Sequence, residues 1–170
     1  HEQKSFNGAL KNLAVSVLTE QHHAVKISDL YAMKFNPLAG KKDFLILPDS
    51  QETNYMLMQK STAQKGRFAQ DIDDEQEKVK WADFILFQFP IWWFSAPAIL
   101  KGWFDRVLAC GFAWDFAKTY SSGLLRGKKS MLSVTTGGGQ EGYSEKGANL
   151  ATINQILHPI MHGTLYFCGM

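Results

Sequence analysis

A row of aromatic side chains and a glycine-rich turn are the two features of this sequence whose residue types and spacing suggest chemistry. Trp92, Trp93 and Phe94 follow one apolar run, and Thr135-Thr136-Gly137-Gly138-Gly139 follows another. Aromatic rings can stack on a flat ligand, and consecutive glycines let backbone N–H groups approach a ring or a phosphate. The pair therefore predicts a planar ligand held between two loops. Two other interpretations stay open: a hydrophobic cap or subunit contact for the aromatics, and a flexible turn for the glycines, which match no phosphate-binding motif.

Both features come where a strand is expected to end. Phe84 to Phe89 is a short apolar run typical of a strand buried on both faces, and Pro90 ends it because proline has no N–H for a ladder. Ser130 to Thr135 predicts the next strand. Ligands of open α/β sheets bind outside the carboxyl ends of the strands. The two loops are therefore expected to meet at one edge of the sheet.

The remaining patterns predict helices and strands in alternation. Pro97 suits the first turn of a helix whose apolar face continues to Leu108. Other helices are predicted at 9–21 (with Ser5 as N-cap), 53–65, 72–81 and 150–157, and other strands at 24–28 and 165–168. The segment 44–47 fits either a short strand or a packed loop. Strands separated by helices predict an α/β fold with a doubly wound parallel sheet, as a single domain over residues 1–170.

Composition excludes several classes of function. The formal net charge is +2 and no run of Lys or Arg exceeds two residues, so a nucleic-acid partner is not expected. Cys110 and Cys168 provide neither a disulfide framework nor a metal-finger spacing, and both are expected to be reduced packing residues. Residues 84–100 carry no charge, but Gln88 and prolines interrupt them, so no membrane insertion is expected. A cytoplasmic protein is the expectation.

Two further groups of side chains have a chemical interpretation. Tyr143 follows the glycine turn, and it is either a surface residue or a hydroxyl placed on the ligand. His158 and His162 are four residues apart, a spacing that can bind a metal on a helix. Pro159 interrupts that helix and two ligands are too few, so a structural role is favoured for the pair.

Five segments together resemble the FAD-dependent NAD(P)H:quinone oxidoreductases, the DT-diaphorase family. They read SFNGAL, QFPxxWFSxPAILKGWFDRVL, SGLLxGK, LSVTTGG and HGTLYFCG, and they cover nearly the whole chain in register. The resemblance implies a flavodoxin-like fold and a homodimer with FAD at the subunit interface. It also implies two-electron, ping-pong hydride transfer from NAD(P)H, or a related nicotinamide donor, to a quinone.

The resemblance also implies a role for individual residues. The residues expected to hold FAD are His1, Phe6, Asn7, Asn54, Pro90, Ile91, Trp92, Trp93, Phe94, Thr135, Thr136, Gly137 and Gly138. The residues expected to line the substrate slot are Trp93, Phe94, Trp114, Phe116, Tyr120 and Phe167. Tyr143 matches the catalytic tyrosine of the family, and Asn149 is expected to be the second catalytic residue.

One position separates two branches of that family. Asn149 stands where some members have a histidine, and an asparagine can donate a hydrogen bond but cannot become a cation. In this respect the chain is similar to the dihydronicotinamide riboside quinone reductase branch. That branch holds a metal with two histidines and a distant cysteine. His162 matches the first histidine but Tyr166 replaces the second, so no metal is expected here.

The resemblance has alternatives and departures. A related regulatory flavoprotein of a potassium-efflux system shares a similar glycine turn, and a truncated, non-catalytic relative is a further hypothesis. The first strand and the C-terminal segment of the family have no counterpart in the 170 residues. These residues alone are therefore expected to bind FAD poorly.

Overall fold

The structure is a computed structural model that describes residues 2, 4–45, 54–65 and 67–170. Its helices and strands, in chain order, are α1 (Phe6–Glu20), α2 (Tyr55–Lys65), α3 (Gln70–Trp81), β1 (Phe84–Pro90), α4 (Ala98–Val107), β2 (Lys129–Thr135) and α5 (Ile153–Ile160). Shorter helical turns occupy Lys41–Asp43, Tyr120–Ser122, Gln140–Gly142, Met161–Leu165 and Tyr166–Cys168. The predicted helices and the two central strands are confirmed, with ends that shift by a few residues.

The strands β1 and β2 pair in parallel, and their register decides which loops meet. Phe84 lies opposite Lys129 at one end of the ladder, and Pro90 lies opposite Thr135 at the other. Two parallel strands that end together present both following loops at the same edge. The predicted parallel pairing is therefore confirmed for this part of the sheet.

The core forms between β1 and α4. Phe87 and Phe89 point to the same side of the strand and are buried, as the two-residue period of a strand requires. Phe87 makes edge-to-face contacts with Trp103 and Phe104 of α4, with ring centroids 5.7 and 5.5 Å apart. Gly102 completes the packing, because a Cβ atom there would lie 2.2 Å from the carbonyl oxygen of Pro37.

Helix α1 lies on the opposite face of the sheet from α4. Its N-cap is Ser5, as predicted, and the Ser5 hydroxyl accepts a hydrogen bond from the Gly8 N–H at 3.1 Å. Near its start, Asn7 is hydrogen-bonded to Gln88, whose side chain alternates with those of Phe87 and Phe89. The helix therefore starts at the edge of the sheet where β1 ends.

The predicted strand at residues 24–28 is wrong. This segment is irregular and mostly exposed, although its apolar and polar residues alternate. A strand needs a hydrogen-bonded neighbour, and within the described residues the ladder joins only β1 and β2. Instead, Lys78 donates from its ammonium group to the Ile27 carbonyl at 3.3 Å and to the Ser28 hydroxyl at 3.2 Å.

The predicted strand at residues 165–168 is also wrong, because the chain continues in helical turns after α5. Leu157, Ile160, Leu165 and Cys168 are the buried residues of this stretch. Their spacing of three to five follows a helical face, whereas the aromatic residues between them suggested a strand. Gly169 ends the turns with φ of +97°, a left-handed conformation that glycine adopts without strain.

The segment between α1 and α2 is described only in part. Phe44 forms an isolated antiparallel bridge with Phe68, so the beginning of the predicted segment 44–47 pairs locally, while 46 and 47 lie outside the described residues. The start of the predicted helix 53–65 falls at Tyr55, and residue 53 also lies outside the described part. Among the described residues, no helix combines the length and the apolar character needed to span a membrane.

Both cysteines are expected to be unreactive in the folded protein. Burial raises the pKa of the Cys168 thiol to about 12 and also raises the pKa of Cys110, next to Asp115. The thiolate is the form that reacts, so little of it is present at pH 8. We expect neither residue to be alkylated by iodoacetamide at pH 8, and both to be alkylated in urea, as measured by peptide mass spectrometry. Fast labelling of native Cys168 would contradict the burial of this thiol.

Candidate active site

The two loops singled out by their residue types lie side by side at one edge of the sheet. Pro90 and Thr135 are register partners at the carboxyl ends of β1 and β2. Directly beyond them, the Ile91 N–H donates to the Thr135 carbonyl oxygen at 2.8 Å. The aromatic turn after β1 and the glycine turn after β2 therefore start from the same point.

The aromatic turn is tight and faces outward. Trp92 and Ser95 exchange two backbone hydrogen bonds of 3.0 Å each, and both residues between them, Trp93 and Phe94, have positive φ angles of 49° and 56°. Residues other than glycine adopt this left-handed backbone conformation at a cost of about 1–2 kcal/mol per residue. Trp93 is 97% exposed, so the strain is not compensated by burial of this ring. Strain of this kind is often found at ligand sites, which makes the turn a candidate contact for a ligand.

The glycine turn leaves its backbone accessible. Gly137 has open space where a Cβ atom would be, and the Thr136 hydroxyl donates to the Gly138 carbonyl at 2.8 Å. Tyr143 packs beside this turn, since a Cβ at Gly138 would lie 3.6 Å from Tyr143 Cε2 and 3.9 Å from its hydroxyl. An accessible backbone and the hydroxyl of Tyr143 therefore lie next to each other here.

Asn149 belongs to the same loop. Its N–H donates to the Gly142 carbonyl at 3.1 Å, and its side-chain Nδ2 would lie 3.5 Å from a Cβ at Gly142. Gly142 directly precedes Tyr143, so one folded loop carries both residues that were predicted to be catalytic.

A chain of side-chain hydrogen bonds joins the start of α1 to this edge. Gln88 Nε2 donates to Asn7 Oδ1 at 2.6 Å, and Asn7 Nδ2 donates to Thr135 Oγ1 at 2.7 Å. Phe6, the first residue of α1, is exposed next to Asn7. Of the two α1 residues predicted to hold the cofactor, Asn7 is bonded directly to Thr135.

A cavity of about 450 Å³ opens beside Tyr143. It is lined by uncharged residues from the glycine turn, from the segment just after it and from the start of α5: Thr136, Gln140, Tyr143, Thr152, Ile153 and Asn154. Thr152 is the N-cap of α5, and its hydroxyl accepts from the Gln155 N–H at 3.2 Å. The cap therefore fixes the start of α5, which forms part of the cavity wall.

The four aromatics predicted to line only the substrate slot form a separate cluster. Trp114 contacts Phe116 and Phe167 at centroid distances of 5.9 and 5.3 Å, and Tyr120 contacts Phe167 at 5.3 Å. Trp114 Nε1 donates to the carbonyl of Leu108, the residue that ends α4, at 3.1 Å. We call Trp114, Phe116, Tyr120 and Phe167 the aromatic cluster, and it lies at the C-terminal end of α4.

Asn54 is connected to the C-terminal end of α4, where the aromatic cluster lies. Its neighbour Tyr55 donates to Asp43 at 2.5 Å, and Asp43 pairs with Arg106 in the last turn of α4. Burial and the hydrogen bond to Asp43 raise the pKa of Tyr55, so its hydroxyl stays protonated and keeps donating. Asn54 Oδ1 accepts from the Met56 N–H at 3.0 Å and thereby begins α2.

The predicted site residues therefore fall into two groups within one chain. The first group is at the sheet edge and contains Phe6, Asn7, Pro90, Ile91, Trp92, Trp93, Phe94, Thr135, Thr136, Gly137, Gly138, Tyr143 and Asn149. The second contains Asn54 and the aromatic cluster. Helix α4 begins just after the aromatic turn and has ten residues, a length of about 15 Å, so it separates the groups. His1 lies outside the described residues.

The edge group fits a flavin ring in shape and in chemistry. Exposed aromatic faces suit a flat ring, and the open backbone at Gly137, together with the hydroxyl of Tyr143, suits a polar ring edge. His158 and His162 lie elsewhere, as a stacked pair with ring centroids 5.0 Å apart. Within the described residues, no three His, Cys, Asp or Glu side chains converge as metal ligands would.

Sequence reasoning missed two parts of this edge. In the sequence, Gln88 was interpreted only as an interruption of an apolar run. A polar side chain inside a buried strand needs a hydrogen-bond partner, and this requirement was a signal that Gln88 contacts another polar residue. The contribution of Thr152 and Asn154 to the cavity had no signal, because it depends on how α5 returns to the sheet.

The chain is similar to a protein family, to curated proteins and to a solved structure. A family model described as the flavodoxin-like fold matches residues 1–170. The ribosyldihydronicotinamide dehydrogenase [quinone] of Homo sapiens is 51% identical over 169 residues, which are 99% of this chain and 73% of that protein. The NAD(P)H dehydrogenase [quinone] 1 of Rattus norvegicus is 46% identical over 169 residues, or 61% of its length. A solved structure from Klebsiella pneumoniae, assigned as a quinone reductase, superposes with a TM-score of 0.94 at 44% identity, over 99% of this chain and 68% of that one.

Proposed function

This chain belongs to the quinone oxidoreductases of the flavodoxin-like fold family, and from that premise we propose that it reduces quinones by two electrons through bound FAD. The electrons come from a reduced nicotinamide, and donor and quinone use the same place in turn. The fold class expected from the sequence is confirmed by the family match.

One observation carries the proposal. The strained, exposed aromatic turn and the open glycine turn emerge from register partners, Pro90 and Thr135, with Tyr143 packed against the glycine turn. A flat ring that lies on this edge would touch aromatic faces, backbone N–H groups and a phenol hydroxyl at once. These are the contacts that a flavin and a flat substrate above it require.

The residues of the edge would act by orientation and by electrostatics. When bound, the flavin supplies a ring that takes two electrons from the donor and passes them to the quinone. Trp93 and Phe94 would cover the ring and exclude water, while Thr136 and the N–H groups of the glycine turn would hold its polar edge. The Tyr143 hydroxyl would donate a hydrogen bond to the substrate oxygen on which negative charge develops. Asn149 would add a second donor but no positive charge.

The separation of the two groups supports a homodimer. Asn54 and the aromatic cluster would reach a ring at the sheet edge only from a second copy of the chain. Phe116 is 56% exposed, as expected of a residue that a partner covers. A ligand that extends from the edge of one copy towards Asn54 of the other would also favour FAD over a shorter flavin.

Replacing Phe116 with arginine is therefore expected to disrupt the dimer. The side chain is exposed in one chain, so the fold should tolerate the change, but a charge would be buried between two copies. We expect the sedimentation velocity profile to shift towards the monomer and quinone turnover to fall at least tenfold. The control is Glu77→Arg on the exposed face of α3, which should change neither property. A variant that remains dimeric and active would contradict the proposed position of Phe116.

The cavity beside Tyr143 supports a donor without phosphate groups. None of its six lining residues is charged, whereas a dinucleotide phosphate is usually held by Arg or Lys side chains. We propose dihydronicotinamide riboside as the better donor. We expect its kcat/KM to exceed that of NADPH at least tenfold in the full natural chain.

A single steady-state experiment tests both the reaction and the donor. Purified protein reconstituted with FAD is assayed with a small quinone and each of dihydronicotinamide riboside, NADH and NADPH, and bound flavin is measured by its absorbance. Parallel double-reciprocal plots are expected for a ping-pong reaction. Absence of quinone reduction with all three donors, despite bound flavin, would overturn the proposed function.

A further inference from the structure

We propose that Gln88 is a positioning residue that sets the direction of hydrogen bonding at the edge where the flavin would lie. The inference rests on the proposed function and adds a residue to it. Gln88 is half-buried on β1 and lies on the α1 side of the sheet. In this proposal it acts on a bound ligand through Asn7.

The first step is the orientation of the Asn7 amide. An asparagine side chain has one end that accepts and one end that donates. Gln88 Nε2 donates to Asn7 Oδ1 at 2.6 Å, so the NH₂ group of Asn7 must point the other way, where its Nδ2 lies 2.7 Å from Thr135 Oγ1. With Gln88 donating in this way, the donating end of Asn7 faces Thr135.

The second step is the Thr135 hydroxyl. A hydroxyl carries one hydrogen and two lone pairs. Because Asn7 donates to one lone pair, the hydrogen of Thr135 Oγ1 is left free to donate to a ligand at the edge. The pyrimidine edge of a flavin carries carbonyl oxygens, which accept such a bond. With Asn7 turned around, the hydroxyl would donate to Asn7 instead and present only lone pairs to those oxygens.

The two bonds also connect three elements at one point. Gln88 lies on β1, Asn7 on the first turn of α1 and Thr135 at the end of β2. The two bonds also hold α1 against the sheet. The experiment must therefore distinguish this purely structural role, which we call a clamp, from the orientation of the Thr135 hydroxyl. Oxidised riboflavin is the probe because it is neutral, so a charge added at position 88 affects its binding little.

The experiment compares dissociation constants for oxidised riboflavin at pH 8, where a glutamate is ionised. In the full natural chain, Thr135→Val is expected to weaken binding about fivefold, as the loss of one hydrogen bond does. Thr135→Ser keeps the hydroxyl and should stay within twofold. Gln88→Glu can only accept, so Asn7 must turn, and this variant should also bind about fivefold more weakly.

The decisive measurement is the effect of Thr135→Val in the Gln88→Glu background. We expect less than a twofold further loss there, because the hydroxyl no longer faces the ligand as a donor. A full fivefold loss in both backgrounds would mean that Gln88 is only a clamp and would overturn the inference. Unchanged riboflavin binding by Thr135→Val alone would overturn it as well.

Two further variants and a spectroscopic measurement show whether a loss of riboflavin binding reflects misfolding. Gln88→Met removes the donor without adding charge, and in it the effect of Thr135→Val should also shrink. Ser133→Ala, at the register partner of Gln88 on β2, should bind riboflavin normally. Far-UV circular dichroism of the flavin-free variants checks that α1 is present. If the unchanged protein binds neither riboflavin nor FAD, the proposed function fails together with the inference, whereas normal binding without coupling contradicts only the inference.

Discussion

Replacing Arg106 with methionine is expected to lower the free energy of unfolding by about 3–5 kcal/mol, the usual result when one partner of a buried ion pair is removed. Arg106 and Asp43 are only 2% and 1% exposed. The guanidinium donates to Asp43 at 2.9 and 3.0 Å, to Asp71 at 2.6 Å and to the Asn36 carbonyl at 2.7 Å. Methionine fills much of the same space but leaves the Asp43 carboxylate buried without its cation.

The pKa of Arg106 reflects the same balance. Burial by itself would lower it, but hydrogen bonds with Asp71 and Asp43 raise it above the ordinary value, so the charge is kept. The stability loss should therefore come from the carboxylate left behind. The double variant Arg106→Met with Asp43→Asn is expected to recover part of it, because an amide is cheaper to bury than a charge.

Urea denaturation followed by fluorescence measures these differences. The matched control is Glu77→Gln, which breaks an exposed pair with Lys80 and should change stability by less than about 1 kcal/mol. A loss below about 1 kcal/mol for Arg106→Met would show that the buried network is not needed for stability.

Replacing Tyr143 with phenylalanine is expected to lower kcat of quinone reduction about a hundredfold, with the content of bound flavin unchanged. The ring would still pack against Gly138, but the hydroxyl that we assign to the developing charge would be gone. Loss of one such donor typically lowers kcat by about 10²–10³. Stopped-flow measurement of the flavin absorbance separates the step with the donor from the step with the quinone.

The control for Tyr143 is its neighbour in the same loop. Ser144 donates to the Glu141 carbonyl at 3.5 Å and does not line the cavity, so Ser144→Ala should keep normal turnover. If Tyr143→Phe also keeps normal rates in both steps, the hydroxyl has no part in the reaction and Asn149 becomes the residue to test.

The central unit of the fold could be predicted because its signals are local. Phe84 to Pro90 is an apolar run that ends in a proline, and α4 repeats apolar residues at the spacing of a helix face. Ser5 was recognisable as an N-cap from its type and position. Each of these features depends on neighbours within a few residues, so no tertiary partner was needed to infer it.

Strand predictions failed where pairing decides the structure. Residues 24–28 alternate like a strand, yet within the described residues they have no ladder partner. Leu165 to Cys168 has the composition of a strand, but its buried residues follow the helical face that starts in α5. A strand forms only with a neighbour, and the neighbour is not written in the segment itself.

The sequence by itself determined the two turns that would hold a flat ligand, since strand ends, prolines and glycines are specified by residue type. Only the tertiary structure decided that Gln88 reaches Thr135 through Asn7, and that the aromatic cluster lies at the far end of α4 from the aromatic turn. The physical reason is range: backbone preferences act over a few residues, whereas Asn7 and Thr135 are 128 positions apart and meet only after the sheet and α1 have packed.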